Sequence, residues 1–255
     1  MFNVGGWGNT VACVQCFVDG NETDTDKIPM TLNYGEEYTV SVNVGADMVR
    51  GFVNGEQIFQ LGGEAPANVF EGAAGFGHWS TEAYVDNLKV VSFTDGSVLY
   101  ENTFDDASSL DDLKHDLATY SGGTYTGDSA VFEWEDGTLH QTDSSSTGVI
   151  SYFGDTTWRN YIYSMDVMPV AGAEGATILG AINLDAPSYV LYNCGGWSNT
   201  KGCWQTYNAG TTESFDGDGL DKSLAYDEWH TLQLVVLDYA IFSYIDGQFC
   251  QAWWN

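Results

Sequence analysis

The chain has 255 residues and a formal net charge of −29, from 36 Asp and Glu against 7 Lys and Arg. A field of this sign repels phosphate backbones and anionic membrane surfaces, so we expect no nucleic-acid partner. Apolar residues make up 44% of the chain and 30 glycines separate short apolar runs, which indicates a folded, turn-rich protein. Because no segment approaches the roughly 20 apolar residues of a membrane span, we predict no membrane insertion.

The first residues of the chain return near its end. Residues 2–10, Phe-Asn-Val-Gly-Gly-Trp-Gly-Asn-Thr, reappear as residues 192–200, Tyr-Asn-Cys-Gly-Gly-Trp-Ser-Asn-Thr, at an offset of 192 − 2 = 190. Further on, the turn Asn54-Gly55 matches Asp246-Gly247 at an offset of 246 − 54 = 192. Residues 1–60 thus resemble residues 191–251, whereas residues 61–190 occur once. We predict an internal repeat of about 190 residues that is cut out of phase.

Strand and turn signals follow one another along almost the whole chain. Residues 38–44 alternate polar and apolar side chains, which predicts a strand. Residues 51–53 enter the Asn54-Gly55 turn and residues 57–59 leave it, which predicts a hairpin. Other predicted strands are 57–59, 98–104, 161–167, 177–182, 231–237, 240–245 and 248–250. Only residues 107–117 predict a short helix or helical turn. Many short strands with regular turns predict an all-β sandwich or jelly roll.

The strand at residues 98–104 runs into an acidic turn, and we predict a module boundary there. Residues 1–98 are then the C-terminal part of a first sandwich module, and residues 99–255 are the N-terminal and central part of a second. Neither module is complete, and there are three ways in which the missing strands could be supplied. Residues 61–98 fold back onto 99–255 in cis, neighbouring modules of a longer parent supply the missing strands, or copies of the chain complete one another.

Three segments resemble the laminin-G-like or concanavalin-A-like sandwich modules of bacterial glycan-active proteins. The strand Trp229-His230-Thr231-Leu232 and the hairpin around Asp246-Gly247 are similar to that family's central hairpin, and residues 74–90 to its closing strands. The Gly-Gly-Trp-x-Asn-Thr segment is similar to one in the module attached to family 51 α-L-arabinofuranosidases. The resemblance implies a concanavalin-A-like jelly-roll β-sandwich in a secreted or cell-surface protein, with a plant or microbial polysaccharide as partner.

Sugar binding needs an aromatic ring to stack on the sugar and amides or carboxylates to bind its hydroxyls. The two Gly-Gly-Trp-x-Asn-Thr segments supply both. The predicted ligand-binding residues are Trp197, Asn199, Trp204, Gln205 and Tyr207 in the second copy, and Trp7 and Asn9 in the first. The second copy is preferred because it has Trp204 where the first has Val14. The alternative is a Trp buried between the sheets and an Asn that closes a turn.

Two more groups of residues are candidates for binding. His78 and Trp79 lie beside Glu82 near a predicted loop, where they line a ligand groove or only pack. For a structural Ca²⁺, the resemblance suggests a site that joins the first strand to the last. Its oxygen ligands would be Asp86, Glu101, Asp105 and Asp106. A solvated acidic turn is the alternative for these four carboxylates.

Catalysis is the weaker hypothesis. Glu133 and Glu135 share one face of a predicted strand, as paired carboxylates of glycoside hydrolases would. They lack an opposed partner, and the segment 135–139 is more typical of an edge hairpin. We therefore predict non-catalytic carbohydrate binding by a module of a larger extracellular protein. The alternatives are a structural repeat protein that assembles head to tail into a filament by strand complementation and, third, a glycoside hydrolase.

Overall fold

The computed structural model describes residues 2–18, 21–24, 27–44, 48–62, 69–117, 131–146, 148–185, 187–208, 211–214, 219–238 and 240–254. The chain divides into two compact units, Met1–Ala67 (unit 1) and Asn68–Asn255 (unit 2). Both consist of antiparallel β-sheets, so the predicted all-β class is confirmed. Within the described residues, no helix has the length and apolar character needed to span a membrane.

The described residues of unit 1 form two small sheets. Its strands are β1 Phe2–Gly5, β2 Val11–Val18, β3 Asn21–Asp24, β4 Ile28–Pro29, β5 Val40–Val44, β6 Met48–Val53 and β7 Glu56–Gly62. The first sheet has the order β1-β2-β3, with β4 beside β2, and the second has the order β5-β6-β7. Asn54 and Gly55 join β6 to β7 with φ of 52° and 80°, the backbone that a tight hairpin turn requires. The predicted hairpin is therefore confirmed.

Unit 2 contains fifteen described strands and one 3₁₀ helix. The strands are β8 Ala73–His78, β9 Thr81–Ser92, β10 Val98–Asn102, β11 Phe132–Glu135, β12 Thr138–Gln141, β13 Val149–Phe153, β14 Tyr161–Gly172, β15 Ala176–Asn183, β16 Ser188–Gly195, β17 Lys201–Asn208, β18 Thr211–Ser214, β19 Leu220–Asp221, β20 His230–Leu237, β21 Ala240–Ile245 and β22 Gln248–Trp254. The 3₁₀ helix covers Ala107–Asp112. It is shorter than the predicted 107–117 because Leu113 adopts an extended backbone and is buried in the core.

The fifteen strands described for unit 2 form two sheets. The first has the order β11-β12-β9-β14-β20-β21-β22, with β10 beside β9. The second has the order β13-β8-β15-β16-β17-β18, with β19 beside β17. One hydrophobic cluster combines side chains of both sheets, for example Tyr163 and Leu234 of the first with Phe76 and Tyr192 of the second. Two antiparallel sheets that share a core are compatible with a β-sandwich.

The strand β9 connects the two sides of the predicted boundary at residue 98. It pairs with β10, β12 and β14, so residues 81–92 lie inside the sheet that the following strands build. Unit 2 accordingly begins at Asn68. The module boundary at residue 98 stays a prediction about the sequence repeat. The compact unit seen in the structure is defined instead by which strands pair with one another.

The strand pairings of unit 1 have counterparts in unit 2. Asn3 pairs with Cys13, and Asn193 pairs with Cys203, so both partners are displaced by 190 residues. The second sheet of unit 1 matches strands of unit 2 at an offset of 192 residues. Val53 pairs with Glu56 in unit 1, and Ile245 pairs with Gln248 in unit 2. Segments that are similar in sequence are thus paired in the same register.

Candidate functional site

The Gly-Gly-Trp-x-Asn segment of unit 2 forms a left-handed turn between β16 and β17. Trp197, Ser198 and Asn199 have φ of 52°, 64° and 56°. This region costs an L-residue about 1–2 kcal/mol. In unit 1 the equivalent turn has φ of 49° at Trp7 and 64° at Asn9. Strained backbone persists only where its surroundings hold it, and it is concentrated at functional sites.

The asparagine of each segment closes a loop. The Asn199 amide nitrogen donates to the carbonyl oxygen of Leu224 at 2.7 Å, and its oxygen accepts from the Leu224 backbone N–H at 2.9 Å. Asn9 makes the same two bonds to Leu32, at 2.6 and 2.8 Å. Because each amide is engaged with backbone, direct ligand contact by Asn199 and Asn9 stays a prediction.

The carboxylate of Glu174 also holds the turn of unit 2. It accepts hydrogen bonds from the backbone N–H groups of Trp197 and Ser198. Partial burial raises the pKa of Glu174 above its usual value, although these two hydrogen bonds act in the opposite direction. The turn of unit 1 has a different neighbour, because the Lys27 ammonium nitrogen lies 4.1 Å from the centroid of the Trp7 ring.

A cavity of about 230 Å³, which we call the Trp197 cavity, lies beside the turn of unit 2. The Trp197 side chain at its wall is 36% exposed. The lining combines two indoles, an imidazole, aliphatic side chains, amides, a hydroxyl and one carboxylate. It consists of His78, Trp79, Gly148, Val149, Ile150, Glu174, Thr177, Leu191, Asn193, Trp197 and Gln205.

Neighbouring strands bring the polar groups of the lining together. Thr177 of β15 pairs with Asn193 of β16, and Leu191 of β16 pairs with Gln205 of β17. Since side chains alternate along a strand, these residues share the sheet face opposite to that of Tyr192, which is in the core. Asn193 and Gln205 are each 7% exposed and are therefore deep in the site.

The structure separates the predicted ligand-binding residues of β17. Gln205 lines the Trp197 cavity, whereas Trp204 is buried in the core with its ring 4.9 Å from that of Tyr192. Tyr207 is also buried and stacks on Tyr189 at 5.1 Å between ring centroids. Neither Trp204 nor Tyr207 belongs to the lining, so their ligand contacts stay predictions.

The candidates near residue 80 are also divided. His78 and Trp79 belong to the lining of the cavity. Glu82 instead lies 3.1 Å from the Nε2 atom of His140. Sequence reasoning did not identify Glu174, Thr177 or Asn193. A signal existed only for Asn193, because it belongs to the repeated segment and matches Asn3.

The carboxylates predicted to bind calcium have several different neighbours. Glu101 forms an ion pair with Lys89 at 2.6 Å, and Asp106 accepts from the backbone N–H of Ser108 at 2.8 Å. Burial raises the pKa of Asp86, and the nearby charges of Asp166 and Asp105 raise it further. In the part of the chain that the structure describes, no group of three or more His, Cys, Asp or Glu is placed to hold a metal ion. Calcium binding stays a prediction.

The carboxylates considered for hydrolysis lie on a hairpin at the edge of the first sheet. Glu135 of β11 lies 2.7 Å from Nδ1 of His140 and accepts from the Tyr84 hydroxyl at 3.1 Å. The Trp197 cavity is elsewhere, and Glu174 is the one carboxylate among its described lining residues. Glycoside hydrolysis commonly uses two carboxylates that flank the scissile bond. The described lining of the Trp197 cavity contributes one carboxylate, Glu174.

No family model matches the chain. An extracellular exo-α-L-arabinofuranosidase of Streptomyces chartreusis is 27% identical to it over 179 residues, which are 69% of this chain and 19% of that enzyme. The chain therefore spans about a fifth of the enzyme's length. This partial similarity relates the chain to a segment of a glycan-active protein.

Proposed function

We propose that this chain is a non-catalytic carbohydrate-binding module of a larger extracellular protein and that it binds polysaccharide in the Trp197 cavity. The observation that carries the proposal is the placement of a partly exposed indole beside nearly buried amides, Asn193 and Gln205. An indole face stacks on the C–H groups of a sugar, and amides both donate to and accept from its hydroxyls. The left-handed turn that presents Trp197 is a strained device of the kind found at binding sites.

The partial relative suggests which ligand to test first. Its name describes an extracellular enzyme that acts on α-L-arabinofuranosyl groups. We therefore place arabinan and arabinoxylan first, with levan and β-glucan as comparison polymers. The same relative supports secretion of the parent protein.

The test compares two tryptophans in similar turns. We expect Trp197→Ala to weaken binding to arabinan or arabinoxylan at least tenfold, or about 1.4 kcal/mol, because it removes the stacking surface. Trp7→Ala is the matched control and should change affinity less than twofold, since the Lys27 ammonium already lies over the Trp7 ring. Isothermal titration and pull-down on insoluble cell wall measure both. Absence of heat with all four polymers, or equal loss in both variants, would contradict the proposal.

We also propose, as a second function, self-association through unit 1. This is supported by β1 and β5, because within the described residues each pairs with one strand only, β2 and β6 respectively. Their counterparts in unit 2, β16 and β20, each have two neighbours. In this proposal unit 1 is an incomplete copy of the jelly-roll module, and its free strand edges accept strands of another molecule. Strand addition repeated head to tail would build a filament.

A further inference from the structure

The Trp197 cavity is small for a ligand site. Its volume of about 230 Å³ lies below the roughly 300–1,000 Å³ that is typical of pockets for drug-sized ligands. One sugar ring fits this space, whereas two linked rings need a longer groove.

The polar groups of the cavity are placed for a ligand that enters by its end. Asn193 and Gln205 are each 7% exposed, so a sugar has to enter the cavity to reach their amides, and the end of a chain enters more readily than its middle. Thr177 is next to Asn193 in the sheet and adds a hydroxyl. A terminal sugar carries more free hydroxyls than an internal one, and each of these can both donate and accept.

The charge in the lining of the Trp197 cavity is negative. It comes from the carboxylate of Glu174, and the described lining contains no Lys or Arg. The chain as a whole carries −29. A uronic acid or sulfated sugar would place its anion beside Glu174 without a cation to offset the repulsion, so the site disfavours anionic sugars.

We infer that the Trp197 cavity binds one uncharged terminal sugar unit of a glycan, with its hydroxyls on Asn193, Gln205 and Thr177 and with Glu174 excluding anionic sugars. This inference rests on the proposed function and names its ligand class. It predicts recognition of chain ends rather than of an extended backbone.

The experiment measures affinity of the full chain against ligand length and charge. The probes are methyl α-L-arabinofuranoside, arabino-oligosaccharides of two to five units, and a methyl glucuronide. We expect the methyl arabinofuranoside to compete with arabinan, the affinity per chain end to change less than about threefold with length, and the glucuronide to bind at least roughly tenfold more weakly than the neutral glycoside. Glu174→Gln should reduce that discrimination, because the variant no longer carries the negative charge that repels the glucuronide.

Two results would overturn the inference and leave the proposed function standing. One is Trp197-dependent binding of arabinan that the methyl glycoside does not inhibit. The other is an affinity that rises tenfold or more with the second and third unit, which would indicate a groove. If no neutral glycan binds at all, both the inference and the proposed function fail. Equal binding of the glucuronide and the neutral glycoside contradicts the role of Glu174 alone.

Discussion

His78 is a fully buried titratable side chain in the wall of the Trp197 cavity. Neither of its ring nitrogens has a hydrogen-bond partner among the described residues. Burial lowers the pKa of His78 to about 4, whereas the unfolded chain takes up this proton near pH 6.5. The free energy of unfolding therefore decreases as the pH falls from 6.5 towards 4, because the unfolded chain binds the proton more readily than the folded one. Above pH 6.5 this contribution to stability is fully present.

We expect His78→Leu to remove this pH dependence. Between pH 7.5 and pH 5, wild type should lose roughly 2 kcal/mol more unfolding free energy than the variant, from 1.5 pH units at about 1.36 kcal/mol each. At pH 7.5 the variant should be at least as stable, because an apolar side chain leaves no polar atom unpartnered. Urea denaturation at both pH values measures the difference. Parallel losses in the two proteins would show that the His78 proton makes no contribution.

At the scale of single elements, the two left-handed turns offer a natural comparison. Position 198 is Ser with φ of 64°, and the equivalent position in unit 1 is Gly8 with φ of 74°. Only glycine adopts this backbone without a penalty. We expect Ser198→Gly to raise the free energy of unfolding by roughly 0.5–1 kcal/mol, which is the left-handed penalty less the extra entropy that glycine loses on folding.

Ser198→Ala is the matched control for this prediction, because it removes the hydroxyl and keeps the backbone penalty. It should give no stabilisation. Gly8→Ser should destabilise unit 1, and its side chain meets no steric obstacle, since a Cβ at Gly8 has no atom within 4 Å. Urea denaturation of the full chain, followed by circular dichroism, measures all three variants. Stabilisation by Ser198→Ala would indicate that the hydroxyl, rather than the backbone, is the source of strain.

Elements were more predictable than the site because their signals are local. Alternation and an Asn-Gly or Asp-Gly turn were enough to predict the hairpins that end at β7 and β22. The Trp197 cavity depends instead on strands far apart in sequence. Thr177 meets Asn193 only through the pairing of β15 with β16, and Glu174 reaches the turn from the segment before β15. Strand order across a sheet has no local sequence signal, which explains why Glu174 and Thr177 were not predicted.

At the scale of the whole molecule, unit 1 exposes apolar residues whose counterparts in unit 2 are covered. Val40 and Val42 of β5 are 48% and 45% exposed. Their counterparts 192 residues later, Leu232 and Leu234 of β20, are 0% exposed, and β20 pairs with β14 as well as with β21. An unpaired, apolar strand edge attracts another strand. β8 and β9, in contrast, are paired with neighbouring strands inside unit 2, so we expect a second molecule to add at the exposed apolar edge of β5 in unit 1.

Truncation separates this edge from the sugar site. We expect residues 68–255 to fold cooperatively, to remain monomeric and to retain glycan binding, because they contain both sheets of unit 2 and the Trp197 cavity. Residues 99–255 should fail to fold, since they lack β8 and the central strand β9.

The full chain should self-associate as its concentration is raised, and Val42→Lys should weaken that association because a charged edge strand pairs poorly. Analytical ultracentrifugation and thermal denaturation measure these outcomes, and a full chain that stays monomeric at high concentration would contradict assembly through unit 1.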